Sequence, residues 1–174
     1  NSTMTRQAYL DIIYKKTASL LGVSASAGAL AVGATRDRVA TMRRFGEAVG
    51  MAFQIQDDIL DYTPTAHTGK PANNDLREGK ITLPLLSVLD RASDSRRREL
   101  LERLSRCHES DEEVEYLRST VENEGGLSFA AEVMQGYIAR AVEMLSDYPD
   151  SEYRSALVNL CAYIAERDLS LIHI

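Results

Sequence analysis

Phe53-Gln54-Ile55-Gln56-Asp57-Asp58-Ile59-Leu60-Asp61-Tyr62 carries three acids at positions i, i+1 and i+4, inside a segment whose apolar residues recur at helical spacing. At about 100° per residue, with Asp57 at 0°, Gly50, Asp61, Gln54 and Asp58 fall at about 20°, 40°, 60° and 100°, within one narrow arc. Met42, Val49, Phe53 and Leu60 fall beside it, at roughly 280–320°, so the acids are expected to border a buried stripe rather than stand free in water. Three carboxylates at a helix end repel one another and oppose the negative end of the helix dipole, and the motif holds no Lys or Arg to neutralise them. A cation is expected there. Magnesium keeps several waters and takes one or two carboxylates plus phosphate oxygens, which suits so sparse a set. A calcium-binding EF-hand would need alternating acids, a central glycine and a distal glutamate, and none is present. The plain competing reading is an acidic helix end that is simply solvated.

Basic residues lie on both sides of this segment. Downstream, periodicity disappears from Thr63 to Gly79, where two prolines, two glycines and the pair Asn73-Asn74 predict a long loop. Loops of that length are uncommon unless they work. Gly69-Lys70-Pro71 and Arg77-Glu78-Gly79-Lys80 place cations on backbone loosened by glycine and pinned by proline. Upstream, Tyr9, Ile12, Ile13, Leu20 and Leu21 predict a helix from about Thr5 to Ala34, with Ser2 and Thr3 at its start and Gly22, Gly28 and Gly33 as candidate breaks. Lys16 falls within that apolar stripe, with Thr17 beside it. The lysine either snorkels to a nearby surface or aims its ammonium into a polar cavity to meet phosphate. A magnesium-bound diphosphate leaving group would need both metal and ammonium charge.

The remaining chain reads as helix throughout. The acid-bearing helix is expected from Thr35–Asp37 to about Asp61, and another from about Thr82 with Pro84 in its first turn. Further helices are expected over Ser95–Cys107 and Asp111–Asn123, then from Gly125-Gly126 to about Leu145, and finally over Ser151–Arg167. No strand run or repeat appears, so the class is all-α, a helical bundle. The 174 residues are 44% hydrophobic and 26% charged, which favours neither disorder nor a fibrous repeat, and 20 Lys+Arg against 26 Asp+Glu, a net charge of −6, disfavour a nucleic-acid-wrapping protein. Cys107 and Cys161 lack metal or disulfide spacing and predict reduced, cytoplasmic thiols, Cys161 as a core residue among Leu157, Leu160 and Ile164. The uncharged Ala18–Ala34 stretch is too short and too polar for a transmembrane segment and is expected to be a closely packed core helix. No secretory signal is evident, and an opening Asn1 rather than Met predicts missing upstream sequence. His67, His108 and His173 form no constellation.

Taken in order, Tyr9, Lys16-Thr17-Ala18-Ser19-Leu20, Gly50-Met51-Ala52 and the Phe53–Tyr62 stretch, Gly69-Lys70-Pro71, Asn74-Asp75-Leu76-Arg77-Glu78-Gly79-Lys80, Thr82-Leu83-Pro84 and Gly125-Gly126 resemble the polyprenyl synthase family of trans-prenyltransferases. The resemblance implies the C-terminal half of an isoprenoid synthase fold across residues 1–174, with the family's preceding half, and its first aspartate-rich motif, absent. It implies that Asp57 is a direct Mg2+ ligand, with Asp58 and Asp61 acting directly or through water. Lys16, Lys70 and Lys80 would hold the allylic diphosphate, and Thr17 and Gln54 would flank the allylic cation. The implied reaction is ionisation of that diphosphate, attack by the alkene of isopentenyl diphosphate and loss of a proton. A homodimer is implied for the full-length protein, and no activity for this half alone. A non-catalytic remnant of the fold and a class I terpene cyclase are the competing readings; the Gly-Lys-Pro loop and the Lys16-Thr17 pair fit the synthase better than the cyclase.

Overall fold

The computed structural model describes residues 4–63 and 73–166. Its elements are α1 (Arg6–Ile13), a π-helical segment (Tyr14–Ala18), α2 (Ser19–Ala31), α3 (Arg36–Asp61), α4 (Asn74–Arg77), α5 (Leu83–Arg91), α6 (Asp94–Arg106), α7 (Asp111–Asn123), α8 (Gly126–Leu145) and α9 (Glu152–Glu166). The described residues are thus all-α, as expected, and most predicted boundaries agree to within a residue or two; the first helical run stops at Ala31, three residues before the expected Ala34, and the expected end at Arg167 lies outside the described residues. Gly22 and Gly28 lie inside α2 without breaking it, whereas Gly33, at φ +71°, takes the left-handed conformation that ends the helical run. The expected long loop contains the short helix α4. No described helix is long and apolar enough to cross a membrane.

The chain divides into two compact units. One comprises the described parts of Asn1–Tyr9 and Asp57–Ala131. Its centre is α5, in which Leu83 through Leu89 are all buried, the one polar side chain among them, Ser87, donating to the Pro84 carbonyl at 2.8 Å. It packs against α6 and α7, and α4 packs against α7. Ser93 caps α6 by accepting from the Arg96 amide at 3.3 Å, and Ser110 caps α7 by accepting from the Glu113 amide at 3.3 Å. Ser110→Ala leaves that amide without its acceptor and is expected to lower stability by about 1 kcal/mol in urea denaturation, with an unchanged dependence on denaturant. The expected caps Ser2 and Thr3 lie outside the described residues, and Thr5 serves instead, its hydroxyl accepting from the Ala8 amide at 3.1 Å.

The other unit comprises Leu10–Gln56 and the described part of Glu132–Ile174. Here the helical run through α2 meets α3 along a seam of small residues. A Cβ placed on Gly46 would lie 2.4 Å from the Leu21 carbonyl oxygen, and one on Gly50 would lie 2.5 Å from the Ala18 Cα. Only glycine permits so close a backbone approach. The expectation that Ala18–Ala34 is core throughout is therefore corrected. Ala18 and Gly22 are buried, but Leu20 is 68% exposed, Leu30 66% and Val32 82%. The closest approach is along the small-residue edge, where backbones can touch, while Leu20, Leu30 and Val32 stay exposed. Cys161 is buried as expected, with Ile164, while Leu160 is exposed. Burial pushes both cysteine thiols up, leaving them protonated and unreactive.

The buried side of α3 also departs from expectation. Of Met42, Val49, Phe53 and Leu60, only Val49 is fully buried, and the most enclosed positions are Ala52, Ile55, Gln56 and Ile59. These lie roughly 160–260° around the helix from Asp57. Ile55 and Ile59 do mark this arc, but Ala52 and Gln56 weigh little in a count of large apolar residues, and Met42, Phe53 and Leu60 draw the expected stripe toward its edge.

Candidate active site

Lys16 and Thr17 lie in the π-helical segment, where the Ser19 amide donates to the Tyr14 carbonyl five residues back. A π-turn inserts one residue per turn and re-aims the side chains beyond it, and such turns occur frequently at functional sites. The α-helical wheel consequently fails here. Of the apolar residues expected to surround Lys16, Tyr9 and Ile13 are buried while Ile12 and Leu20 are exposed, and Lys16 itself is exposed rather than set in a buried stripe. Thr17 is turned toward α3, and its hydroxyl donates to the Gln54 Oε1 at 3.1 Å. The Gly50–Ala18 approach one turn away sets the spacing that allows this contact. Tyr14 is anchored nearby, donating to Glu47 at 3.0 Å, and the same carboxylate accepts from Arg43 at 3.0 Å.

The three acids of α3 occupy different environments. Asp57 is partly exposed. Asp58 is 6% exposed, and its Oδ2 accepts a 2.6 Å hydrogen bond from the buried Tyr9 hydroxyl. Asp61 receives the start of α4: its Oδ1 accepts from the Asn74 amide at 3.1 Å and its Oδ2 from the Asp75 amide at 3.0 Å. Its carbonyl accepts from the Asn73 amide at 2.6 Å, with Asn73 at φ +61°, a left-handed conformation that asparagine tolerates. Burial pushes the Asp61 carboxyl above the usual carboxylate range, opposed by the Asp75 amide hydrogen bond, and the Asp75 carboxylate adds to the rise. These amides supply part of the positive partial charge that the acids, at the negative end of α3, were expected to need. Next to Asp61, the Tyr62 phenol is fully buried, and desolvation pushes its pKa well up, so it stays neutral.

The Asn74–Lys80 stretch folds as a compact turn that links a cation to Asp61. Lys80 contacts both Asp75, at 3.2 Å, and Glu78. The Glu78 hydrogen bond raises its pKa and keeps it charged, although two acids already partner it. Lys70 lies outside the described residues, as do His67 and His173, and His108 meets only the neighbouring Glu109 among the described residues. Structure thus brings Thr17 to Gln54, Asp58 to Tyr9, and Asp61 to the α4 turn. Among the described residues, no three His, Cys, Asp or Glu side chains form a ready-made metal cage. Sequence reasoning missed the Tyr9 hydrogen bond and the clasp on Asp61. Both depend on contacts between segments far apart in sequence, though Tyr9 was visible two helical turns before Lys16.

A family model described as polyprenyl synthetase matches residues 1–121. The chain belongs to the polyprenyl synthetase family. Among its relatives, the short chain isoprenyl diphosphate synthase of Methanothermobacter thermautotrophicus is 33% identical over 168 residues, covering 95% of this chain and 50% of the relative. Heptaprenyl diphosphate synthase component 2 of Geobacillus stearothermophilus is 37% identical over 164 residues, covering 93% of this chain and 50% of the relative. The crystal structure of a polyprenyl synthase from Caulobacter crescentus, complexed with calcium and isoprenyl diphosphate, superposes with a TM-score of 0.87 at 33% identity, covering 96% of this chain and 51% of that one. This polyprenyl synthetase chain therefore spans about half the length of the relatives it matches.

Proposed function

We propose that the chain forms the C-terminal part of a trans-prenyltransferase domain that condenses an allylic diphosphate with isopentenyl diphosphate. The observation that carries this reading is the Thr17–Gln54 hydrogen bond, which joins two residues singled out for one role from segments 37 positions apart. Gln54 fixes the Thr17 hydroxyl as a donor to itself, leaving the Thr17 oxygen lone pairs for an electron-poor allylic carbon. Asp57 would hold Mg2+, with Asp58 and Asp61 supporting it directly or through water. When bound, the metal would neutralise the diphosphate as the carbon–oxygen bond breaks. Lys16, Lys70 and Lys80 would add ammonium charge to the same leaving group. The alkene of isopentenyl diphosphate then attacks the allylic carbon, and a proton lost from the adduct restores a double bond.

The exposed apolar residues Leu20, Val23 and Leu30 of α2, with Val32 just past its end, support a further part of the reading: a complementary half covers them in the full-length protein. We expect a homodimer for the full-length protein and, from its reduced thiols, a cytoplasmic location. The isolated chain is expected to show no turnover with both substrates and magnesium, and a robust rate from purified chain would overturn that expectation. Calorimetric titration with an allylic thiodiphosphate, with and without Mg2+, tests the reading itself. Binding that requires the metal supports it, and no metal-dependent binding leaves a non-catalytic remnant. Product analysis of the full-length protein separates a linear chain from a cyclised one.

A further inference from the structure

We propose that Tyr9 is a positioning residue for the metal-binding edge of α3, acting through Asp58; the inference rests on the magnesium-diphosphate reading above. Its hydroxyl donates to Asp58 Oδ2 at 2.6 Å, and both side chains are nearly enclosed, Tyr9 at 4% and Asp58 at 6% exposure. The partners stand 49 positions apart, so the bond ties α1 to the end of α3 rather than closing a local turn. At 2.6 Å the bond is at the short end for an O–H···O contact, and the low surrounding dielectric strengthens it. The phenol holds Oδ2, which fixes the rotation of the carboxylate and with it the charge that the acid presents to a neighbouring metal or metal-bound water. Groups that orient a carboxylate in this way commonly change metal affinity about 10–100-fold when removed.

Electron paramagnetic resonance of Mn2+ in the presence of inorganic diphosphate, on the 174-residue chain, tests this directly. Tyr9→Phe removes only the hydroxyl and is expected to weaken Mn2+ binding by about 10-fold or more. In an Asp58→Ala background, where the acceptor is gone, the same change is expected to move affinity less than about 2-fold. A merely structural tyrosine would lower the melting temperature in both backgrounds and leave the affinity of the folded protein unchanged; that result overturns the proposal. Asp57→Asn separates the two readings. If it abolishes Mn2+ binding while Tyr9→Phe does not alter it, the metal site stands and the role of Tyr9 falls. If the unaltered chain binds no Mn2+ with diphosphate, both fall. Should Tyr9→Phe not fold, 3-fluorotyrosine at position 9 provides a second readout: its 19F resonance is expected to shift on adding Mg2+ and diphosphate, and an unmoved resonance overturns the proposal.

Discussion

Asp57→Asn is expected to weaken magnesium-dependent diphosphate binding by at least about 100-fold, or about 2.7 kcal/mol, while leaving the fold intact. Asparagine matches aspartate in shape but lacks the charge, and removing the carboxylate proposed as the direct ligand should cost at least the upper end of what its supporting partners contribute. The neighbouring acids make the prediction specific. In Asp58→Asn the carbonyl can still accept from the Tyr9 hydroxyl, so the loss should be smaller. In Asp61→Asn one oxygen becomes an NH2 group facing a backbone amide of α4, and two donors then oppose each other. That change should cost about 1–3 kcal/mol locally and appear as faster hydrogen exchange at the Asn74 and Asp75 amides. Equal effects at all three positions would contradict the division of labour drawn from their environments.

Gly50→Ala is expected to destabilise the chain by about 1–3 kcal/mol, whereas Gly28→Ala is expected to stabilise it by about 0.5–1 kcal/mol. Both glycines lie within helices, so backbone propensity alone favours alanine at either site. Surroundings decide the sign. A Cβ on Gly50 meets the Ala18 backbone at 2.5 Å, where no side chain can swing aside, while one on Gly28 meets nothing within 4 Å. Because the Gly50 approach also sets the Thr17–Gln54 spacing, the alanine variant should lose that hydrogen bond. Chemical denaturation of the two variants checks the opposite signs. A stabilising Gly50→Ala would show that the seam between α2 and α3 is looser than described.

The helices were legible because their start and stop signals are local. Ser110 before Asp111, Pro84 after Leu83, and Gly125-Gly126 between two periodic runs each act within a few residues. What sequence could not supply was the face each helix buries. The α-helical wheel assumes 3.6 residues per turn throughout, and the π-turn at Tyr14–Ala18 breaks that assumption at Lys16, where the direction of a side chain matters most. Along α3, small Ala48 and Ala52 mark buried positions that a count of bulky residues passes over. The candidate site shows the same division. Asp57, Asp58 and Asp61 stood out by type and spacing, and Thr17 and Gln54 through the family resemblance; the hydrogen bond between the last two could not be read from either. The commitment of Asp58 to Tyr9 and of Asp61 to α4 arises from tertiary contacts that spacing does not encode.

A crystal structure of the chain grown with Mg2+ and a non-hydrolysable allylic diphosphate analogue would address the core of this reading. Density is expected for a metal on the Asp57 carboxylate, with a diphosphate oxygen bound to that metal at about 2.1 Å. A diphosphate bound with no metal at Asp57, or a metal held on other residues, would contradict it.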